Sequence, residues 1–289
     1  KVIYCSFMSE KRIVFILSTP RSGSTLLQRI LATGNSVYTA PESWYFVKQF
    51  ANSNGLMGFS EIGYLAENRA TSRFEGRCGE DRKYLIYRQA YLDFLDIEKS
   101  KIHIVEKTPR NLRVHKSIVD ANHDHDRFIL LRRNTADIFE SHLEYFDSFP
   151  YLKSYKFKRD IQKDILILEN IIQREDPRII SVSYNDLIDD INTTVSRLGI
   201  FLEDDTINAD SLPNVGNNSD FGDSKGRQLT KVTRIVSKKS YVIRELTKVY
   251  VLNQYWRFWL WPHLLLSWLI YRFNINLLLY SLRKTSFIH

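Results

Sequence analysis

A short turn at residues 20–25, with the sequence PRSGST, carries side chains suited to hold an anion. Arg21 supplies a guanidinium fork. Hydroxyl groups follow at Ser22, Ser24 and Thr25. They can also cap the next helix, whose first N–H groups attract phosphate-like ligands. The turn is not a Walker A motif, because Ser18 and Ser24 stand where that motif has its first glycine and its lysine. The pattern favours an anion site over a plain turn and disfavours an ordinary ATP-dependent kinase.

A second pair of anion-binding side chains follows the apolar run at residues 128–131. Arg132 and Arg133 follow this run, and Ser141 lies eight residues after Arg133, in a predicted helix that begins near Thr135. A guanidinium and a hydroxyl suit another phosphate. Alone, the segment is explained equally well by a sheet-edge arginine and a solvated serine. Together with the first turn, it favours a nucleotide that carries phosphates at two positions.

The turn resembles the 5′-phosphosulfate loop of sulfotransferases that use 3′-phosphoadenosine 5′-phosphosulfate (PAPS), which has the form Pro-Arg-Ser-Gly-Thr-Thr. The matching positions are Pro20, Arg21, Ser22, Gly23 and Thr25, with Ser24 keeping a hydroxyl. Arg133 and Ser141 have the spacing of the family's 3′-phosphate segment. The resemblance covers about residues 12–202. It implies transfer of a sulfuryl group from PAPS to an acceptor hydroxyl, with 3′,5′-adenosine bisphosphate as the product and no metal.

The resemblance also implies catalytic residues. Lys107, in the segment EKTP, takes the place of the family's lysine near the transferred group, and Arg21 is the other cation. The cytosolic branch has a histidine base two residues after that lysine, where this chain has Pro109. The protein-tyrosine branch and many bacterial relatives place a glutamate 21 residues after the loop arginine, and Glu42 stands at that separation. We expect Glu42 to be the general base. A glutamate has an ordinary pKa of about 4.3, so this role needs a partly desolvated site. A surface lysine and an exposed glutamate at a helix start are the competing interpretations.

Two further segments resemble the family. Residues 182–187, VSYNDL, are similar to the Tyr-Glu-Asp-Leu segment beside the adenine, so Tyr184 either flanks the purine or belongs to the core. Lys225, Gly226 and Arg227 resemble the basic glycine loop that closes over the nucleotide. The run HDHD at residues 123–126 suggests metal binding, but no spaced partner motif accompanies it. We expect this run to form a solvated loop.

Short apolar runs alternate with helical patterns along the chain. The runs are 13–17, 102–105, 128–131 and 179–182, and the helical patterns are 25–31, 160–172 and 187–202. This alternation predicts an α/β protein with a three-layer, P-loop-like fold, in which helices flank a central parallel sheet. Lys107 follows one of the strands, where open α/β sheets place their sites. Residues 52–82 are expected to be an irregular or helical insertion bordering an acceptor cleft.

Composition limits the partners and the compartment. The net charge of +8 favours an anionic partner, and because the basic residues form no long block, a nucleotide ranks above nucleic acid. Cys5 and Cys78 are too few for a disulfide framework, which favours the cytoplasm. Sequons at Asn192 and Asn217 keep the Golgi lumen as an alternative.

The resemblance implies a sulfotransferase domain over residues 1–250, and the composition predicts a hydrophobic, aromatic tail over residues 251–289. Charged residues and Pro262 interrupt the tail, so it falls short of the roughly 20 apolar residues of a membrane span. Three roles stay open for it: packing against the core or a second copy of the chain, peripheral contact with a membrane, and lining an acceptor pocket.

The function that the sequence predicts is a PAPS-dependent sulfotransferase acting on a carbohydrate, a lipid-like alcohol or another small hydroxylated metabolite. Tyr145 stands four residues after Ser141, where the tyrosine-modifying branch carries a basic group. This argues against a tyrosine acceptor, although a protein-tyrosine sulfotransferase stays an alternative. A P-loop-like small-molecule kinase and a membrane-docked nucleotide-binding module without catalytic activity also stay open.

Overall fold

A parallel β-sheet of five strands organises the part of the chain that the computed structural model describes, residues 11–50, 80–95, 97–121, 123–146 and 151–214. The strands are β1 (Arg12–Ser18), β2 (Val37–Thr39), β3 (His103–Glu106), β4 (Arg127–Arg132) and β5 (Ile179–Ser183). Their order across the sheet is β2-β3-β1-β4-β5, and every neighbouring pair is parallel. β1 is therefore the central strand.

Helices connect these strands, as parallel pairing requires. In chain order they are α1 (Ser24–Leu31), α2 (Tyr45–Phe50), α3 (Glu80–Phe94), α4 (His115–Val119), α5 (Thr135–Phe146), α6 (Tyr151–Ile172), α7 (Tyr184–Asp189) and α8 (Ile191–Leu202). In the described ranges, two 3₁₀-helices occupy Pro109–Val114 and Ala209–Asn214. Among the described residues, no helix has the length and the apolar character needed to cross a membrane.

The core lies on both faces of the sheet, because side chains along β1 alternate between two apolar clusters. Val14 and Ile16 join the cluster that includes side chains of α1, α7 and α8. Ile13, Phe15 and Leu17 join the other, which includes side chains of α2, α3 and α6. A strand covered on both faces reads as an unbroken apolar run, as β1 does. The predicted three-layer α/β fold with a central parallel sheet is confirmed.

The chain divides into two compact units. One runs through Asn134 and resumes at Ile161, so it contains the whole sheet, and the other begins at Thr135 and includes Asp160. Helix α5 belongs to the second unit, and its residue Ile138 is buried. The predicted tail at residues 251–289 lies outside the described residues, and the boundary at residue 250 stays a prediction.

Several element predictions need correction. β2 is a strand that the sequence did not predict, since its three residues form no apolar run. The single helix expected at residues 187–202 is two helices, because the backbone at Asp190 leaves the helical region. Residues 80–82 of the expected insertion begin the long helix α3, and residues 52–79 lie outside the described part of the chain.

The predicted solvated loop at residues 123–126 is wrong at both of its ends, where His123 and Asp126 are buried. The Asp126 carboxylate accepts hydrogen bonds from the Tyr84 hydroxyl at 2.5 Å, from Arg88 Nε at 3.0 Å and from the Ile13 N–H at 2.8 Å. It thus anchors helix α3 to the start of β1. Within the described residues, no group of three or more His, Cys, Asp or Glu side chains is placed to hold a metal ion.

Candidate active site

The carboxyl ends of the strands gather most of the predicted site residues. Parallel strands present these ends at one edge of the sheet, where ligands bind in open α/β folds. The segments that follow β1 to β5 in turn carry Arg21, Glu42, Lys107, Arg133 and Tyr184. In the strand order, the segments of Glu42 and Lys107 fall on one side of the β1 loop, and those of Arg133 and Tyr184 on the other.

The loop after β1 has an unusual backbone. Arg21 has φ 68° and Gly23 has φ 93°, both in the left-handed region. Where left-handed residues alternate with right-handed ones, successive backbone N–H groups point to the same side of the loop. These N–H groups then form a concave surface that commonly binds an anion. The hydroxyls of Thr19 and Ser22 hydrogen-bond to each other and are buried. The loop is therefore held in shape by its own side chains.

The predicted hydroxyl cap on α1 is wrong. The helix begins at Ser24 and its N-cap is Gly23, so within the described residues no side chain caps this end. A left-handed backbone at the cap position favours glycine over serine or threonine, which explains the difference. The helix dipole and the first N–H groups of α1 thus face the loop without a capping hydroxyl.

Arg133 and Tyr184 pack against this loop from β4 and β5. Arg133 Nη1 donates a hydrogen bond to the Arg21 carbonyl oxygen at 3.0 Å. The Arg133 guanidinium carbon lies 4.1 Å from the centroid of the Tyr184 ring. A β-carbon at Gly23 would lie 2.5 Å from two atoms of the same ring. Tyr184 is buried in the apolar core, so its predicted contact with a purine stays a prediction.

Glu42 and Lys107 form an ion pair, with Glu42 Oε1 2.7 Å from Lys107 Nζ. The Lys107 side chain is 0% exposed and that of Glu42 is 25% exposed. A buried ammonium needs such a counter-charge. Gln28 on α1 donates to the Thr39 hydroxyl and to the Ala40 carbonyl, both at 2.8 Å, and so fixes the chain just before Glu42. The two predicted catalytic residues, 65 positions apart, are brought into direct contact.

Glu106 lies at the edge of the candidate site, and the sequence predictions did not include it. Its carboxylate is 1% exposed and accepts hydrogen bonds from four side chains. The donors are Ser43, Tyr91, Thr108 and Asn111. One sequence signal existed, since a glutamate directly after an apolar strand and directly before Lys107 must itself lie at the sheet's edge.

The remaining predicted site residues are not tested by the described structure. Ser141 lies on α5, in the second compact unit. Lys225, Gly226 and Arg227 lie outside the described residues. Their roles stay predictions.

The geometry places cations at the loop after β1 and pairs another cation with a carboxylate. Arg21 lies in the loop and Arg133 contacts it, whereas Lys107 and Glu42 pair in the segments that follow β3 and β2. Such a site can bind a multiply charged anion, stabilise negative charge that develops on a leaving group, and supply a base.

The chain is similar to known proteins in sequence and in structure. The family model described as "Sulfotransferase family" matches residues 14–206. No curated protein matches the chain. Similar solved structures include the sulfotransferase domain from the curacin biosynthetic pathway, at 18% identity and TM-score 0.48, covering 84% of this chain and 98% of that one.

Two other solved structures are also similar to this chain. The sulfotransferase domain of the olefin synthase from Synechococcus PCC 7002 has 21% identity and TM-score 0.49, covering 84% of this chain and 96% of that one. Mouse sulfotransferase SULT7A1, complexed with PAP, has 12% identity and TM-score 0.48, covering 90% of this chain and 88% of that one. The match to the family model runs from β1 beyond α8 and so includes the loop, Glu42, Lys107 and Arg133. The chain belongs to the sulfotransferase family.

Proposed function

We propose that this protein transfers a sulfuryl group from PAPS to the hydroxyl of an acceptor. The observation that carries the proposal is the contact of Glu42 with Lys107, in the segments that follow β2 and β3 on one side of β1. A base and a cation, side by side at the edge of an anion site, are what this transfer requires.

The residues of the β1 loop fit the phosphosulfate end of PAPS. Residues 19–25 contain no acidic side chain, and Gly23 supplies the left-handed backbone that ends the loop. Arg21, Gly23 and the hydroxyl residues 22, 24 and 25 would hold this end. Arg133, beside the loop, would hold the 3′-phosphate, with the Ser141 hydroxyl as a second donor as the family resemblance implies.

The catalytic roles follow from charge. The bound nucleotide supplies the sulfuryl group and leaves as 3′,5′-adenosine bisphosphate. Glu42 would accept the proton of the acceptor hydroxyl while the oxygen of that hydroxyl forms its bond to sulfur. Lys107 and Arg21 would stabilise the negative charge that moves onto the departing phosphate oxygen. The Lys107 ammonium also fixes the position of the Glu42 carboxylate before the acceptor arrives.

For the acceptor, we propose a carbohydrate, a lipid-like alcohol or another small hydroxylated metabolite. Tyr145 replaces the basic group of the tyrosine-modifying branch, and the aromatic tail favours an amphiphilic molecule. Radiolabelled PAPS offered with one representative of each class, and with a tyrosine peptide, distinguishes them. Labelling of the peptide alone would contradict this choice of acceptor.

Nucleotide binding tests the reaction class. Calorimetry with 3′,5′-adenosine bisphosphate in the presence of a chelator is expected to show binding without magnesium. Binding of ATP that requires magnesium, with no binding of the bisphosphate, would identify a kinase and contradict the proposal.

The variant Glu42→Gln tests the base. We expect kcat to fall by about 100-fold or more, because an amide cannot accept the proton. The dissociation constant of 3′,5′-adenosine bisphosphate should stay within about threefold of wild type, since Glu42 is not assigned to the nucleotide. Glu169→Gln, on an exposed position of α6, is the control for loss of one negative charge. Full activity of Glu42→Gln would assign the base elsewhere.

A further inference from the structure

We propose that Glu106 is a positioning residue, whose buried carboxylate holds the loop that carries Glu42 so that Glu42 meets Lys107. The inference rests on the proposed function, because it concerns how the proposed catalytic pair is held. Glu106 would act through its neighbours and not on the substrate.

The Glu106 carboxylate joins four separate pieces of the chain. Oε1 accepts from the Thr108 hydroxyl at 2.7 Å and from Asn111 Nδ2 at 3.0 Å. Oε2 accepts from the Ser43 hydroxyl at 2.9 Å and from the Tyr91 hydroxyl at 2.6 Å. A carboxylate has about four acceptor positions, and here four donors fill them. The loop after β2, the end of β3, helix α3 and the first 3₁₀-helix thus meet at one buried charge.

The loop that follows Glu42 is fixed by the same network. The Ser43 hydroxyl also accepts from the Tyr45 N–H at 3.1 Å, and the Trp44 N–H donates to the Thr108 hydroxyl at 3.2 Å. Trp44 has φ 53°, a left-handed conformation that is strained for a bulky residue. Strained backbone persists only where its surroundings determine it, and here the surroundings are the donors bound to Glu106 and their partners.

The sequence neighbours of this network are the proposed catalytic pair. Glu42 directly precedes Ser43, and Lys107 directly follows Glu106. One buried carboxylate therefore restrains both sides of the 2.7 Å ion pair. A displacement of about 1 Å in a catalytic group can cost about 100-fold in rate, so this restraint has a measurable consequence.

Helix α3 offers a matched pair of variants. Tyr84 and Tyr91 lie seven residues apart, are 0% and 2% exposed, and each donates its hydroxyl to a buried carboxylate. Tyr91 donates to Glu106, whereas Tyr84 donates to Asp126 at the opposite edge of the sheet. Burial, reinforced by the adjacent carboxylate, raises the pKa of both phenols, so both remain donors at neutral pH. The two Tyr→Phe substitutions remove the same kind of bond at two different places.

The experiment compares Tyr91→Phe, Tyr84→Phe and Glu106→Gln with wild type. The measurements are thermal unfolding, kcat and KM with radiolabelled PAPS, and a crystal structure of each variant. We expect Tyr91→Phe to lower kcat about tenfold and Glu106→Gln about 100-fold, with KM for PAPS within about twofold. Tyr84→Phe should lose comparable thermal stability and keep kcat within about twofold. In Glu106→Gln, the amide adds a donor where four donors already converge, so Glu42 should move away from Lys107.

Equal loss of kcat in the two tyrosine variants would overturn the proposal, because it would show a structural effect only. A crystal structure of Glu106→Gln that keeps the Glu42–Lys107 distance of 2.7 Å would also overturn it. This second readout needs no turnover. If wild type fails to transfer sulfate from PAPS, the proposed function fails, and the distance in the variants still decides whether Glu106 positions Glu42.

Discussion

Arg133 links two parts of the candidate site through one guanidinium. It donates to the Arg21 carbonyl, and its guanidinium carbon lies 4.1 Å from the Tyr184 ring centroid. An arginine that is oriented by contacts on two sides loses less side-chain freedom when a phosphate binds. Arg132, the preceding residue, is exposed at the end of β4. These neighbours therefore allow a clean comparison of a site arginine with a surface arginine.

We expect Arg133→Ala to weaken binding of 3′,5′-adenosine bisphosphate by about 10- to 100-fold, since a hydrogen bond to a charged group contributes about 1.5–3 kcal/mol. Arg132→Ala removes the same charge next to it and should weaken binding by much less. Calorimetry at a single salt concentration measures both. Equal weakening in the two variants would mean that nucleotide binding depends only on the local positive charge. It would contradict a specific phosphate contact by Arg133.

At the scale of elements, the loop from β1 to α1 depends on a single glycine. Gly23 has φ 93° and its α-carbon faces the Tyr184 ring. Any larger residue there meets both a backbone penalty and a collision with an aromatic ring in the core. The loop, the N-terminus of α1 and the start of α7 are thereby packed at one position.

Gly23→Ala should destabilise the fold and weaken the nucleotide site together. The left-handed backbone alone costs about 1–2 kcal/mol for alanine, and the new β-carbon would lie 2.5 Å from Tyr184. Thermal unfolding is expected to show a clear fall in Tm, with weaker binding of 3′,5′-adenosine bisphosphate. Ser24→Ala, at the next position, is the stability control because it keeps an ordinary helical backbone. A Tm for Gly23→Ala equal to that of Ser24→Ala would contradict the argument.

The elements that the sequence predicted are those whose apolar residues form a recognisable local pattern. β1 and β4 were found because covered strands are unbroken apolar runs, and their helices because apolar positions repeat along them. In β2 only Val37 is fully buried, and its three residues form no apolar run that would indicate a strand. The left-handed cap at Gly23 was missed because hydroxyl residues surround it and a hydroxyl cap is the commoner arrangement.

The candidate site was predicted residue by residue but not as a set of contacts. The family resemblance selected Glu42 and Lys107 separately, and only the pairing of β2 with β3 brings them together. The Glu106 network was invisible for the same reason, since its donors Ser43 and Tyr91 come from distant parts of the chain. Short-range pattern does not encode such long-range hydrogen bonds.

For the whole molecule, buried histidines tie stability to pH. His103, His115 and His123 each have a pKa below the ordinary value, and burial is the main cause. His103 and His123 are almost fully buried. The folded protein therefore takes up protons at these imidazoles less readily than the unfolded chain does.

The free energy of unfolding should consequently fall as the pH drops below about 6.5, where the unfolded chain begins to bind protons that the folded protein refuses. Above that pH both states carry neutral imidazoles and these groups contribute no slope. Urea unfolding at a series of pH values measures the effect, and His103→Gln should make the dependence shallower. A His103→Gln slope as steep as that of wild type would show that other groups dominate.

The pairing of β1 with two later strands also sets the order in which the sheet can form during synthesis. Arg12 pairs with His103 on one side, and Val14 pairs with Arg127 on the other. During synthesis, neither edge of this apolar strand can form its backbone hydrogen bonds until its partner, first β3 and then β4, has left the ribosome. A nascent chain that ends before β3 exposes both unpaired edges of this apolar strand to chaperones and to other chains. The anion loop at the end of β1 can therefore take its final form only late in biosynthesis, after the distant partner strands have arrived.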